Sequence, residues 1–188
     1  MVSRVCILDL FAAFFQVDSD KQYEKTEPIR IDPGWSREEV IDYLESIRDK
    51  NINADLAFYA YRDMTRCDWR PFIKAAMERC PVSIEKYSEE SIDQIYSQLK
   101  ALPNESIYEG PRLAQPDEVA NYNTGDGIEK AFTLANVLLS QDEQCSLKLT
   151  IDGPSIVLKG KNEYRFPSTK GLKKQLRINT GNYEIVGE

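Results

Sequence analysis

The chain has 188 residues, a formal net charge of −7 and a hydrophobic fraction of 41%, values that are typical of a folded protein and not of a disordered one. Its acidic balance argues against general nucleic-acid binding, which needs a basic surface to neutralise phosphates. The sequence contains no histidine, which excludes Ser-His-Asp and Cys-His catalysis and every histidine-ligated metal site within this chain.

An apolar stretch occupies residues 5–15 and follows Arg4. Asp9 interrupts it, no small-x-small cleavage site follows it, and at about 11 residues it is too short to span a bilayer. We therefore predict a buried helix here, no membrane association, and a cytoplasmic protein.

The cysteines are widely spaced, and none belongs to a Cys-x-x-Cys motif. We predict reduced, mostly buried thiols and no zinc or thioredoxin-like site. A bridge between Cys67 and Cys80 is the alternative for an exported protein.

Helical periodicity dominates the chain up to residue 103. Ser36 and Glu39 form a capping box, after which Val40, Leu44 and Ile47 repeat on one helical face. Three more helices are predicted: one at residues 56–66 with Leu56, Tyr59 and Ala60 on its stripe, one capped by Asp68, and one from Ser88 to Pro103. We expect the apolar faces of these helices to form the core.

Residues 104–124 are weakly periodic and contain Gly110-Pro111 and Gln115-Pro116. We predict a loop with one short helical turn at residues 117–120, of a length that is often functional in compact domains. A helix at residues 127–140 follows, with Ile128, Phe132, Ala135 and Leu139 on its buried stripe.

The period then changes from helical to alternating. Leu147, Leu149 and Ile151 alternate with polar residues, and further short strands follow at residues 155–159, 163–166, 176–178 and 183–186. We predict an α+β fold, in which a helical N-terminal part (residues 1–103) precedes a central helix and a C-terminal antiparallel sheet of four or five strands (residues 104–188). The two parts are expected to share one core, and the hairpins to form a meander.

The central helix begins with the sequence Gly125-Asp126-Gly127-Ile128-Glu129-Lys130-Ala131, which follows a Pro116-Asp117-Glu118 segment. Residues 125–139 resemble the strand-turn-helix motif of transglutaminase-like proteins in the papain-like superfamily, which commonly carry a Gly-Asp-Cys turn before an alanine- and leucine-rich helix. The family's nucleophilic cysteine corresponds to Gly127, and its partner histidine has no counterpart. The resemblance therefore implies a relative that lacks this acyl-transfer chemistry, with no catalytic residue, metal or cofactor.

Two interpretations of this turn remain open. In the structural one, Gly125 and Gly127 adopt backbone angles closed to other residues, Asp126 caps the helix, Glu129 favours the positive end of its dipole, and Lys130 is solvated. In the functional one, free helix N–H groups bind an anionic or polar ligand beside basic side chains. The candidate ligand-binding residues are Arg112, Asp126, Glu129, Lys130 and Lys170.

The sequence favours a non-catalytic binding or assembly protein, whose partner is a protein or a polar or anionic small molecule. The alternative is an enzyme that uses lysine and carboxylates on a carbohydrate or another polar metabolite; its candidate carboxylates are Asp117, Glu118, Asp126 and Glu129. A purely structural subunit is a third possibility. The Ser168-Thr169-Lys170-Gly171 turn is either a phosphate acceptor or a polar connection between strands.

Overall fold

A computed structural model of the chain describes residues 26–142 and 144–186. The helix predicted at residues 5–15 lies outside these residues. The backbone contacts group the chain into two units, residues 1–53 and residues 54–188.

The described part of the first unit contains helix α1 (Arg37–Ile47). The predicted capping box is confirmed, since the Ser36 hydroxyl accepts a hydrogen bond from the Glu39 N–H and the Glu39 carboxylate accepts one from the Ser36 N–H at 2.7 Å. No residue of α1 is fully buried, so its predicted apolar stripe is only partly shielded from solvent.

The remaining helices of the described chain are α2 (Ile52–Tyr61), α3 (Trp69–Glu78), α4 (Pro81–Lys86), α5 (Ile92–Ala101), α6 (Pro116–Tyr122) and α7 (Gly127–Gln141). Asp68 caps α3 as predicted, because its carboxylate accepts a hydrogen bond from the Arg70 N–H at 3.0 Å. The helix predicted to begin at Ser88 corresponds to α5 and begins later, at Ile92. Ser91 caps α5 instead, because it forms a capping box with Gln94.

Helix α2 differs most from the prediction. It ends at Tyr61, where Arg62 adopts a left-handed backbone conformation with φ 59°. Its buried residues are Ala54 and Phe58, while Leu56 is 52% exposed. The predicted stripe is wrong. Apolar side chains occur on every side of this helix, and their spacing therefore does not identify one buried face.

Helix α7 confirms the predicted central helix and is buried on nearly every side. It packs against α3 and α5 on one side and against strands β1 (Ser146–Asp152), β2 (Ser155–Lys159) and β3 (Glu163–Pro167) on the other. Even its polar residues Glu129, Thr133 and Asn136 are at most 1% exposed. Each of these groups therefore needs a hydrogen-bond partner inside the protein.

The sheet is completed by β4 (Lys173–Asn179) and β5 (Asn182–Ile185), and the predicted α+β class is confirmed. All neighbouring strands are antiparallel, in the order β3-β2-β1-β4-β5. The sheet is not the simple meander expected from its hairpins, because β4 pairs with β1 and not with β3.

The connection from β3 to β4 runs over the tip of the β1–β2 hairpin. The Ser168 N–H donates to the Pro154 carbonyl, and the Gly153 N–H donates to the Leu172 carbonyl, both at 3.0 Å. These bonds hold the Ser168-to-Gly171 turn at the end of the sheet, beside the first turn of α7.

The core of the second unit includes buried side chains from both sides of residue 103, from Met64 to Ile178. Cys67, Cys80 and Cys145 are free thiols, as predicted, and no Cys67–Cys80 bridge forms. Among residues 26–142 and 144–186, no helix combines the length and apolarity needed to cross a membrane.

Candidate functional site

Asp126 joins the first turn of α7 to the β3–β4 connection. Its carboxylate accepts hydrogen bonds from the N–H of Ile128 at 3.0 Å, the hydroxyl of Ser168 at 2.6 Å and the N–H of Thr169 at 2.8 Å. The side chain has no exposed surface. The turn that the sequence offered as a phosphate acceptor therefore does bind an anion, but that anion is the protein's own carboxylate.

The Glu129 side chain connects the loop that precedes α6 to helix α7. Its carboxylate accepts hydrogen bonds from the Asp126 N–H at 2.8 Å, the Ser106 hydroxyl at 2.6 Å and the Ala114 N–H at 2.8 Å. Burial raises the pKa of Glu129 above its usual value, while these hydrogen bonds act in the opposite direction. Glu129 is 0% exposed, so its position suits a buried connection better than contact with a ligand.

The structural interpretation predicted a solvated Lys130, but the side chain is buried. It is 2% exposed, and its ammonium donates to the Leu102 carbonyl at 2.8 Å, at the C-terminal cap of α5. A cation there compensates the negative end of the helix dipole. Burial lowers the pKa of Lys130, while the negative charges of Asp126 and Glu129 act in the opposite direction.

Arg112 and Lys170 meet at Tyr108. The Lys170 ammonium donates to the Tyr108 carbonyl at 2.6 Å. The Arg112 guanidinium lies 4.2 Å from the centre of the Tyr108 ring and 4.3 Å from that of Tyr61, and its Nε donates to the Tyr61 carbonyl at 2.8 Å. Burial lowers the pKa of Lys170; the negative charges of Glu129 and Asp126 act in the opposite direction, and the positive charge of Arg112 adds to the lowering. The two cations are therefore close enough to repel each other.

Arg62 and Glu118 form a further ion pair beneath this cluster, which the sequence did not reveal. The Arg62 guanidinium donates to both oxygens of Glu118, and the Tyr108 hydroxyl donates to the same carboxylate at 2.6 Å. Burial alone would raise the pKa of Glu118, but the Arg62, Gln115 and Tyr108 hydrogen bonds hold it below the usual value. The residues are 56 positions apart, and no local pattern connects them.

An open groove of about 860 Å³ lies beside the Tyr108 cluster. Most of residues 104–111 form one wall, and Thr65, Thr169 and Lys170 complete its lining. Of the five candidate ligand-binding residues, Lys170 lines this groove and Arg112 packs against its Tyr108, whereas Asp126, Glu129 and Lys130 lie inside the protein. The ligand-binding role of the five residues stays a prediction. The internal hydrogen bonds of Asp126, Glu129 and Lys130 give these three a structural role as well.

Residue 127 must be a glycine because the backbone of β3 lies too close to leave space for a side chain, and not because of its backbone angles. Neither Gly125 nor Gly127 has a positive φ, contrary to the structural interpretation. A Cβ atom at Gly127 would instead stand 2.0 Å from the carbonyl oxygen of Pro167. The end of β3 thus occupies the space that any side chain at this position would need.

Comparison with known proteins gives no relative: no family model, no curated protein and no solved structure matches this chain. Within the described residues, no group of three or more His, Cys, Asp or Glu side chains is placed to hold a metal ion.

Proposed function

We propose that this chain is a non-catalytic binding or assembly protein, and that the groove beside Tyr108 recognises a polar ligand or partner through an anionic group. The observation that supports it is the pair of cations at Tyr108, of which Lys170 lines the groove. Arg112 and Lys170 both contact Tyr108, and neither forms an ion pair with a carboxylate among the described residues. A carboxylate or phosphate bound between them would relieve their repulsion and accept charge-assisted hydrogen bonds.

The resemblance of residues 125–139 to transglutaminase-like proteins remains part of this proposal. In such a fold the nucleophilic thiol would stand at Gly127, where the Pro167 carbonyl leaves no room for a Cβ atom. Cys80 and Cys145 offer poor substitutes, since burial raises the pKa of Cys80 to about 11 and also raises that of Cys145. These features favour binding over acyl transfer. A cytoplasmic location belongs to the proposal as well, and the free thiols are compatible with it.

The alternative proposal is an enzyme that uses carboxylates and lysine on a carbohydrate or another polar metabolite. Asp126 and Glu129 were its main candidates, but both are 0% exposed and hydrogen-bonded within the chain, so neither reaches the groove. Glu118 forms an ion pair with Arg62, which occupies the carboxylate that the enzyme proposal would need. This arrangement favours the binding role.

The test is a titration of the whole protein with inorganic phosphate and, separately, with succinate, followed by changes in amide NMR shifts. We expect saturable shifts in residues 104–112 and 168–171. The variants Arg112→Gln and Lys170→Met should each weaken binding by about fivefold or more, because each removes one charge-assisted contact.

Lys161→Met is the matched control, since Lys161 is an exposed lysine that pairs with Asp142 and does not line this groove. It should leave the affinity unchanged. Absence of saturable shifts, or equal affinity in all variants, would contradict the anion-binding role. A covalently acylated cysteine after incubation with an activated acyl donor, detected by mass spectrometry, would contradict the non-catalytic one.

A further inference from the structure

The outward face of the sheet carries a row of charges that crosses all five strands. The register pairs Glu163 with Lys159, Lys159 with Lys148, Lys148 with Arg177, and Arg177 with Glu184. All five side chains are exposed, because the opposite face of each strand is the one that packs on the core. Three adjacent cations therefore form the centre of the row, with one carboxylate at each end.

This arrangement works against the stability of the sheet. Neighbouring strands lie about 4.8 Å apart, and like charges directly opposite each other are destabilising. Arg177 has a partner in Glu184 at 3.3 Å, but Lys148 and Lys159 form no ion pair among the described residues. Lys148 has a cation on both sides. A binding partner with negative charge would turn this repulsion into attraction.

The surroundings of the row restrict what that partner can be. The central cations span only two strand spacings, about 10 Å, and the two end carboxylates already pair with arginines, Glu163 with Arg165 and Glu184 with Arg177. No aromatic residue points outward from the described strands, so the face offers no platform on which nucleic-acid bases could stack. A short anionic segment fits better than a nucleic acid.

Acidic side chains at successive helical positions match this spacing. Residues three or four positions apart on a helix have Cβ atoms about 5–6 Å apart, close to the separation of neighbouring strands. Alternate residues of an extended strand lie about 6.6 Å apart, which fits less well. We propose that Lys159, Lys148 and Arg177 form a docking surface for a partner-protein helix with acidic residues at positions i, i+4 and i+7.

The proposal can be tested with the full chain and a designed alanine-based helical peptide that carries glutamates at i, i+4 and i+7. Binding is measured by fluorescence anisotropy at low and at physiological salt. We expect saturable, salt-sensitive binding, and about tenfold weaker binding to the Lys148→Glu variant, because the change replaces two favourable charge contacts with repulsion.

Lys74→Glu provides the matched control, since Lys74 is an exposed lysine on α3 and the charge change is the same. This variant should bind the peptide as the wild type does. Equal losses in the two variants would overturn the proposal, and so would equal binding of a peptide whose glutamates are scattered around the helix. Tighter, Lys148-dependent binding of an oligothymidine or of phosphatidylserine vesicles would also overturn it, in favour of a nucleic acid or a membrane surface.

A second variant separates docking from structure. Lys148→Thr removes the central charge and introduces a residue that favours strands. It should raise the melting temperature of the free protein and weaken peptide binding. A lowered melting temperature would contradict the repulsion on which the proposal rests.

Discussion

Gly127 shows how a single missing side chain determines the packing at the start of α7. The helix approaches β3 so closely that a Cβ atom would collide with the backbone of Pro167, and backbone cannot move aside as a side chain can. We expect Gly127→Ala to lower the free energy of unfolding by about 2–3 kcal/mol or more, as measured by urea denaturation.

Gly125→Ala is the control for this prediction. Its Cβ would lie 3.1 Å from a methyl group of Val119, a side chain that can adjust, so the loss should stay below about 1 kcal/mol. Equal stability of Gly127→Ala and the wild type would show that the helix and strand separate easily, and would reopen this position to a side chain.

Glu118 provides a prediction about pH. Its pKa is lowered in the folded protein from the ordinary value of 4.5, so its contribution to stability is complete above that pH and is lost as the pH falls through the lowered pKa. Glu118→Gln should therefore cost about 1–3 kcal/mol at pH 7. The difference from the wild type should begin to shrink below about pH 4.5, where the unfolded chain takes up the proton, and should be smallest below the lowered pKa, where folded Glu118 is also protonated and resembles glutamine.

Urea denaturation over a range of pH values checks this, with Glu184→Gln as the control. Glu184 also pairs with an arginine, but on the exposed sheet face, where an ion pair contributes little. A pH-independent loss in Glu118→Gln would mean that packing, and not charge, is what Glu118 contributes.

At the scale of elements, the sequence predicted what local signals determine. Ser36 with Glu39, Asp68 and Asp126 indicated three helix starts, because a cap acts through hydrogen bonds within one turn. Alternation identified the strands for the same reason, since neighbouring residues point to opposite faces.

Long-range packing decided the features that the sequence did not predict. The buried face of α2 depends on which neighbours cover it, and the pairing of β4 with β1 depends on how the β3–β4 connection crosses the hairpin. The candidate site likewise has local features that the sequence predicted and long-range contacts that it did not. Asp126 was identified as a cap from its own turn, but its bonds to Ser168 and Thr169, 42 and 43 residues away, were not.

At the scale of the whole molecule, the main core found among the described residues belongs to one of the two units. Every member of the buried cluster lies between Met64 and Ile178, within the unit formed by residues 54–188. The unit contains the complete sheet, α7 and the groove at Tyr108. Its length of 135 residues is within the range in which domains fold alone.

We therefore expect a fragment that starts at residue 50, and so keeps α2 whole, to fold without the residues before it. It should unfold in one cooperative transition, and its amide NMR spectrum should retain the dispersed signals of β1 to β5, because the fragment keeps every residue of the buried cluster from Met64 to Ile178. A matched fragment that starts at residue 80 removes Trp69, Phe72 and Ile73 from the core and should fail to fold. A collapsed spectrum for the first fragment would show that residues 1–49 contribute to the stability of this core.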